Sequence, residues 1–297
     1  MSFMLLGILN SQAAGGANIL YIAGGDSGIM TTSDDGVTWT SQTSGFGSDR
    51  IRTLAVGDAL YIAVGDGGSM TTSEDGVTWT ARTSGFGSTS ILGIAYGNGL
   101  YVAGGSSGTL TTSPDAITWT SRTSGFGSSA IQRVAYGNSL FVAVGDGGTM
   151  TTSTDGVTWT TRTSGFGSDL ITTVTYGDGL YVAGGNPGKV TTSPDGVTWT
   201  SRTSGFGTTI IRDSTFGDGL YVLSGGSGKL TTSPDGITWT SRSPGIAADG
   251  IYAVAYGGGL YVAGGSGGDI ATSPDGVTWT TQTSGFGTAN IFGLTAG

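Results

Sequence analysis

The chain has no cysteine, no histidine and a single glutamate, Glu74. Without cysteine there are no disulfides and no thiolate metal centres, and the redox compartment stays open. Without histidine the commonest general base and neutral metal ligand is missing. Charge is scarce too. Only 10% of residues are charged, 20 acidic against 11 basic, for a net charge of −9. That balance opposes nucleic acid, whose phosphates demand a basic surface, and anionic membrane surfaces. Long apolar runs are also absent. The longest, Phe3 to Leu9, is far short of the roughly 20 residues of a membrane-spanning helix. No Lys or Arg precedes it, as a signal peptide would require. Residues 1–17 are therefore expected to persist as an N-terminal extension. It either anchors the chain in a neighbouring subunit or folds back onto the rest.

What the chain has in abundance is glycine, 59 residues, recurring at fixed positions as turn residues do. Tryptophan stands at 39, 79, 119, 159, 199, 239 and 279, always 40 apart. A period near 40 residues is a propeller signal. The β-branched, alternating content carries no 3.6-residue pattern, which excludes helical repeats. One unit reads as four short strands: Ile91 to Tyr96, Leu100 to Ala103, Thr109 to Ser113, and Ile117 to Arg122. A lone four-stranded sheet leaves both faces wet, whereas seven arranged radially cover them. The fold expected is all-β: a seven-bladed propeller over residues 18–297, with four antiparallel strands per blade. No good first strand precedes Ile19, while Ile291 to Thr295 matches Ile51 to Ala55 in register. The C-terminal strand should therefore complete the N-terminal blade and close the ring.

The most regular element is Ser73-Glu74-Asp75-Gly76-Val77-Thr78-Trp79 and its six relatives. It reads as a tight turn with a left-handed glycine, an aspartate accepting backbone N–H bonds, and a tryptophan burying its ring. Ala116 replaces the glycine once, at a cost of roughly 1–2 kcal/mol if the conformation persists. This motif resembles the Asp-box of sialidase-type (BNR) repeats, with one residue fewer between Asp and Gly. The resemblance implies a structural turn between third and fourth strands, opposite the functional face. It makes Asp35, Asp75, Asp115, Asp155, Asp195, Asp235 and Asp275 architectural, together with Trp39, Trp79, Trp119, Trp159, Trp199, Trp239 and Trp279. The sialidase chemistry does not follow. The Phe/Tyr-Arg-Ile-Pro sequence is missing, Glu74 sits in a box turn, and Arg82, Arg122, Arg162, Arg202 and Arg242 share one outer-strand position. A glycosidase needs two carboxylates about 5–10 Å apart, and Asp213 has no evident acidic mate. No enzyme activity, cofactor or metal site is expected.

The copies differ most at the fourth-to-first connection, the start of the first strand, and the second-to-third hairpin. In propellers these share one face, around the channel mouth. That face is expected to present Arg50, Arg52, Arg133, Lys189, Arg212, Asp213, Lys229, Tyr252 and Phe292. The mixture suits a glycan or a protein epitope; free drift of loop residues is the alternative. The connection also carries Ser-Gly-Phe-Gly in six copies, whose phenylalanines are expected to plug gaps between blades.

Units of the form Leu-Tyr-Val-Ala-Gly-Gly…Thr-Ser-Pro-Asp-Gly-Val-Thr-Trp are similar to repeats in bacteriophage tail, fibre and other virion proteins, and to bacterial surface proteins. The resemblance implies a non-enzymatic structural or receptor-binding protein of a phage particle, located on the virion or outside the cell. Its partners would be other virion subunits, or a host-surface glycan or protein. A secreted bacterial lectin or adhesin is the alternative, with a sialidase-like hydrolase further behind. Irregular substitutions and the extra N-terminus oppose a consensus-style designed propeller.

Overall fold

The structure is a computed structural model describing residues 20–246 and 248–297. The N-terminal extension proposed as an anchor lies outside the described residues. Seven four-stranded antiparallel sheets make up the body. Each is a blade whose strands run A to D from the channel outward. Blade 2 is typical: Ile51–Gly57, Leu60–Gly65, Met70–Ser73 and Thr80–Ala81. Strands A and B join through two residues with positive φ, Asp58 and Ala59 here and Asn98-Gly99 in blade 3. This is the turn whose twist matches a hairpin.

Ring closure follows the sequence expectation. Strand A of blade 1 is the C-terminal Ile291–Ala296, paired with Tyr21–Gly25. Backbone bonds between Leu20 and Gly297 extend the pairing in both directions. One end of the chain thus supplies the inner strand and the other end the outer three.

The hydrophobic core is divided among seven clusters, each between neighbouring blades. The first residue of every inner strand is an isoleucine with no exposed surface, from Ile51 to Ile291. It packs onto strand B of the preceding blade. Ile131 meets Gly104 and Ile291 meets Gly264, close enough that a Cβ on either glycine would stand under 3 Å from the isoleucine Cγ2. Glycine is needed there for close approach. The connection phenylalanines Phe46, Phe86, Phe126, Phe166, Phe206 and Phe286 are buried in the described structure. A tyrosine on strand B also donates its hydroxyl to a glycine carbonyl of the preceding blade, as Tyr101 does to Gly57. Blade 4 has Phe141 at this position, without a hydroxyl.

Two local readings change. The outer strand of blade 3 begins at Thr120, not Ile117. The Asp115 carboxylate takes the N–H groups of Ile117 and Thr118, which are therefore unavailable to the ladder. The same pattern recurs in all seven turns. The tryptophans are half-buried rather than fully buried. Each ring leans on a blade interface and donates its Nε1–H to the carbonyl three residues back, Gly36 for Trp39 and Ala116 for Trp119. An indole whose N–H must reach a turn carbonyl at the surface is held at the edge of the core.

Candidate binding site at the channel mouth

The inner strands share one irregularity. In each A–B pair the register slips by one residue next to the leading isoleucine. The extra residues are Arg52, Leu92, Gln132, Thr172, Arg212, Tyr252 and Phe292. A β-bulge re-aims the side chain it carries. These bulges turn seven variable side chains toward one end of the channel, and they lay three of the predicted residues against one another.

Blades 6, 7 and 1 contribute Arg212, Tyr252 and Phe292. The two rings stack in parallel, 5.0 Å apart and 6° from coplanar. The Arg212 guanidinium lies 5.0 Å from the Tyr252 ring centre. On the far side, Arg50 lies 4.4 Å from the Phe292 ring centre. Arg50 is held from below by Asp26, Nε to Oδ1 at 2.7 Å, and Asn290 binds the other oxygen of Asp26 at 2.9 Å. The result is a continuous stack of cation, ring, ring and cation. Each contact is worth about 0.5–1.5 kcal/mol, and together they pre-organise one side of the mouth.

The other predicted residues fall in three places. Arg52 grips Asp66 through Nε and Nη2 beside the stack. Lys189 pairs with Asp169 in blade 5, and Lys229 donates to the Phe206 carbonyl at 2.9 Å in blade 6. Arg133 and Asp213 descend into the channel. They occupy the same repeat position two units apart, and Arg133 crosses the channel to reach Asp213 at 2.7 Å and Thr53 of blade 2 at 2.9 Å. One guanidinium therefore ties blades 2, 4 and 6. Burial pushes the Asp213 carboxyl upward in pKa; Arg133 and the Val254 N–H, 3.1 Å away, pull the other way.

The bar also helps line a channel cavity of about 140 Å³, walled by Thr53, Leu54, Ile94, Val174, Ser214 and Val254 and reaching Phe292. Sequence reasoning missed the cavity, the bulges and the participation of Thr53 and Ser214. A usable signal was present: Thr53, Arg133 and Asp213 are separated by 80 residues each, two full repeats, which places them on alternate blades facing one channel.

The turn aspartates lie elsewhere. Asp35 accepts the N–H groups of Val37 and Thr38 at 2.8 and 2.7 Å and the Ser33 hydroxyl at 2.9 Å. Those bonds hold its carboxyl down at about 2. The five repeat-position arginines each donate Nε to a strand-C threonine, as Arg162 does to Thr152 at 2.8 Å. They are spread over five blades. Among the described residues, no group of three or more His, Cys, Asp or Glu could hold a metal ion. No described helix is long and apolar enough to cross a membrane.

Fold and mouth together define a seven-bladed β-propeller. Residues 10–124 and 171–295 match the DUF6242 beta propeller domain, and the chain belongs to that family. No curated protein matches it. Among solved structures it is similar to the computationally designed Ika8 protein, with 15% identity, TM-score 0.68, and 94% of this chain and 88% of that one covered. It is also similar to virginiamycin B lyase from Staphylococcus aureus, with 11% identity, TM-score 0.71, and 84% and 92% covered. A third is YCF48 bound to D1 peptide, with 19% identity, TM-score 0.64, and 80% and 83% covered. Identities this low establish the fold alone.

Proposed function

We propose that this chain is a non-enzymatic binding propeller that docks another protein on its channel-mouth face, as a structural or receptor-binding component of a bacteriophage particle. The stack Arg212–Tyr252–Phe292–Arg50 carries the reading. Arginine and large aromatics are the residues that dominate protein interfaces, and here they are rigid before any partner arrives, which lowers the entropy cost of docking. The same stack disfavours the lectin alternative. A sugar-binding aromatic offers an open ring face, whereas the outer faces of Tyr252 and Phe292 are covered by guanidiniums. YCF48, a propeller of similar shape, has been solved with a peptide bound, which supports a peptide-docking use of such a body.

The non-enzymatic part rests on chemistry. The chain has no histidine, Asp213 is committed to Arg133, and the turn aspartates accept their own backbone. The phage part rests on the repeat resemblance. Oxidative footprinting tests both on purified particles that carry the chain, with the free chain as reference. Tyr252 and Phe292 should be protected on the particle while the seven turn tryptophans stay equally reactive. Equal labelling of Tyr252 in both states would sink the docking reading. Saturable binding of the free chain on a glycan array, lost in Tyr252→Ala, would favour the lectin.

A further inference from the structure

The face opposite the mouth differs from it in charge and in what it exposes. Antiparallel pairing brings the A–B and C–D turns of every blade to this lower end. A Cβ on Gly196, in one C–D turn, would stand 2.6 Å from Cδ2 of Leu140, the first residue of strand B in the preceding blade. These turns carry twelve of the 20 acids: the seven turn aspartates, Asp34 and Glu74 beside them, and Asp58, Asp178 and Asp218. They carry no Lys or Arg. The five repeat-position arginines stand on the outer strands, each with Nε on a strand-C threonine. The exposed large hydrophobic side chains of the described structure also gather here. They are Val37 and its counterparts, five valines and two isoleucines, 42–53% exposed.

The turn itself needs only the main chain of Val37, whose N–H goes to Asp35. The second residue of the same turn ranges over Asp, Glu, Pro and Thr, yet the position of Val37 admits only Val and Ile. An apolar side chain kept in water seven times over marks a surface that something covers. The carboxylates around it are available. Each turn aspartate puts its three turn bonds on Oδ1, so Oδ2 keeps lone pairs for an outside donor. Beside the A–B turns, a half-buried aromatic stands next to last on strand A in five successive blades, from Tyr96 to Tyr256. Burial and then the charge of Asp58 push the Tyr96 hydroxyl up in pKa, and burial and then Asp218 do the same to Tyr256. A cation beside such a ring gains from both the carboxylate and the π face. Charge also excludes other occupants. Nucleic acid and anionic membranes are repelled. A second copy presenting the same face would set twelve acids against twelve, and at its mouth Arg50, Arg52 and Lys189 are already paired.

We propose that the lower face is a second docking surface, for a protein whose contact surface sets lysine or arginine around apolar side chains. The partner's cations meet the turn carboxylates, and its apolar side chains cover the ring of valine and isoleucine. This surface stands independently of docking at the mouth. With both in use, the propeller bridges two partners along its axis.

All seven tryptophans sit half-buried in these C–D turns, so their fluorescence reports on this face. The probe is an amidated peptide of four Lys-Leu-Lys units, titrated into the full chain at about 0.15 M salt. Peptides of Lys-Ser-Lys and Glu-Leu-Glu units serve as controls. The Lys-Leu-Lys peptide should shift the tryptophan emission saturably, at least tenfold tighter than Lys-Ser-Lys, and Glu-Leu-Glu should not bind. A variant combining Asp58→Asn, Asp178→Asn and Asp218→Asn copies Asn98 and Asn138 at the same position, so its fold is kept. With Asp34→Asn and Glu74→Gln added, it should bind at least tenfold more weakly. Ile117→Thr, Val157→Thr and Val197→Thr together keep the side-chain shape; they should weaken Lys-Leu-Lys at least threefold and leave Lys-Ser-Lys unchanged. No saturable shift, unchanged affinity in either variant, or Lys-Ser-Lys binding as tightly as Lys-Leu-Lys overturns the proposal. Binding that appears only once residues 1–17 are removed makes the chain's own N-terminus the occupant. Self-association of the full chain that the threonine variant abolishes makes it a second copy. Either result overturns the outside partner.

Discussion

If the ring is truly sealed by its C-terminal strand, Ile291 should matter as much as its counterpart in an unbroken blade. Ile291 and Ile131 are both fully buried and both press on a strand-B glycine of the preceding blade, Gly264 and Gly104. Ile131 belongs to a blade that is continuous in sequence. Ile291 is held to its blade by non-covalent bonds, through pairing with Tyr21–Gly25 and the flanking Leu20–Gly297 and Asn290–Asp26 bonds. Truncating a buried isoleucine to alanine costs about 2–5 kcal/mol. At about 2.1 cal/mol/K per residue, the 297 residues give an unfolding entropy of about 0.6 kcal/mol/K. The loss therefore lowers Tm by about 3–8 °C. Calorimetry and urea titration of Ile291→Ala and Ile131→Ala should give losses equal within about 0.5 kcal/mol, in one cooperative transition. A full loss for Ile131→Ala with almost none for Ile291→Ala would mean that the terminal strand is frayed in solution, and the closure argument would fail.

Other outcomes follow from single departures in the repeat. Phe141→Tyr restores the hydroxyl clamp that blade 4 lacks and should stabilise by about 0.5–1.5 kcal/mol, read as a raised urea midpoint at constant slope. Gly156 has φ of +70°, and a Cβ there would stand 2.4 Å from Leu100 Cδ2. Gly156→Ala should cost about 1 kcal/mol or more, the penalty that Ala116 already carries at φ of +58°. Acid stability should fall steeply. All seven turn carboxyls are held below their usual value by backbone N–H groups, Asp35 and Asp155 at about 2. On acidification the unfolded chain takes up these protons first. For Asp35 and Asp155 the stabilisation is therefore complete above about pH 4 and lost between about pH 4 and 2. Asp155→Asn should make that loss shallower by one proton, measured from chemical unfolding at stepped pH.

The repeat made most of the architecture legible. A 40-residue interval kept seven times, period-two alternation and a spare first strand at the C-terminus leave few ways to bury both faces of each sheet. Strand order, blade number and closure follow from those local facts, because every blade meets only its neighbours. The polar turn was legible for the same reason, since Ser33, Asp35 and Thr38 bond within six residues.

The mouth was only half legible. Variation among copies marked Arg212, Tyr252, Phe292 and Arg50, and repeat position placed them on one face. That they stack depends on the bulge beside each leading isoleucine and on the angle between successive blades, neither of which is written in any one unit. Arg52 and Lys189, read as ligand-facing, are tied to Asp66 and Asp169, because the second-to-third hairpin of a blade meets its own inner-strand bulge in the first case and the incoming connection in the second. The Trp39 series sits half in solvent because its indole N–H must reach a surface carbonyl.

Sequence alone settled what local pattern and neighbour-to-neighbour burial can decide: seven sheets, their strands and their sealed ring. Tertiary structure alone decided what happens across the axis, where residues 80 positions apart meet. Arg133, Thr53 and Asp213 become one polar bar because alternate blades face a common channel narrow enough for the Arg133 side chain to span.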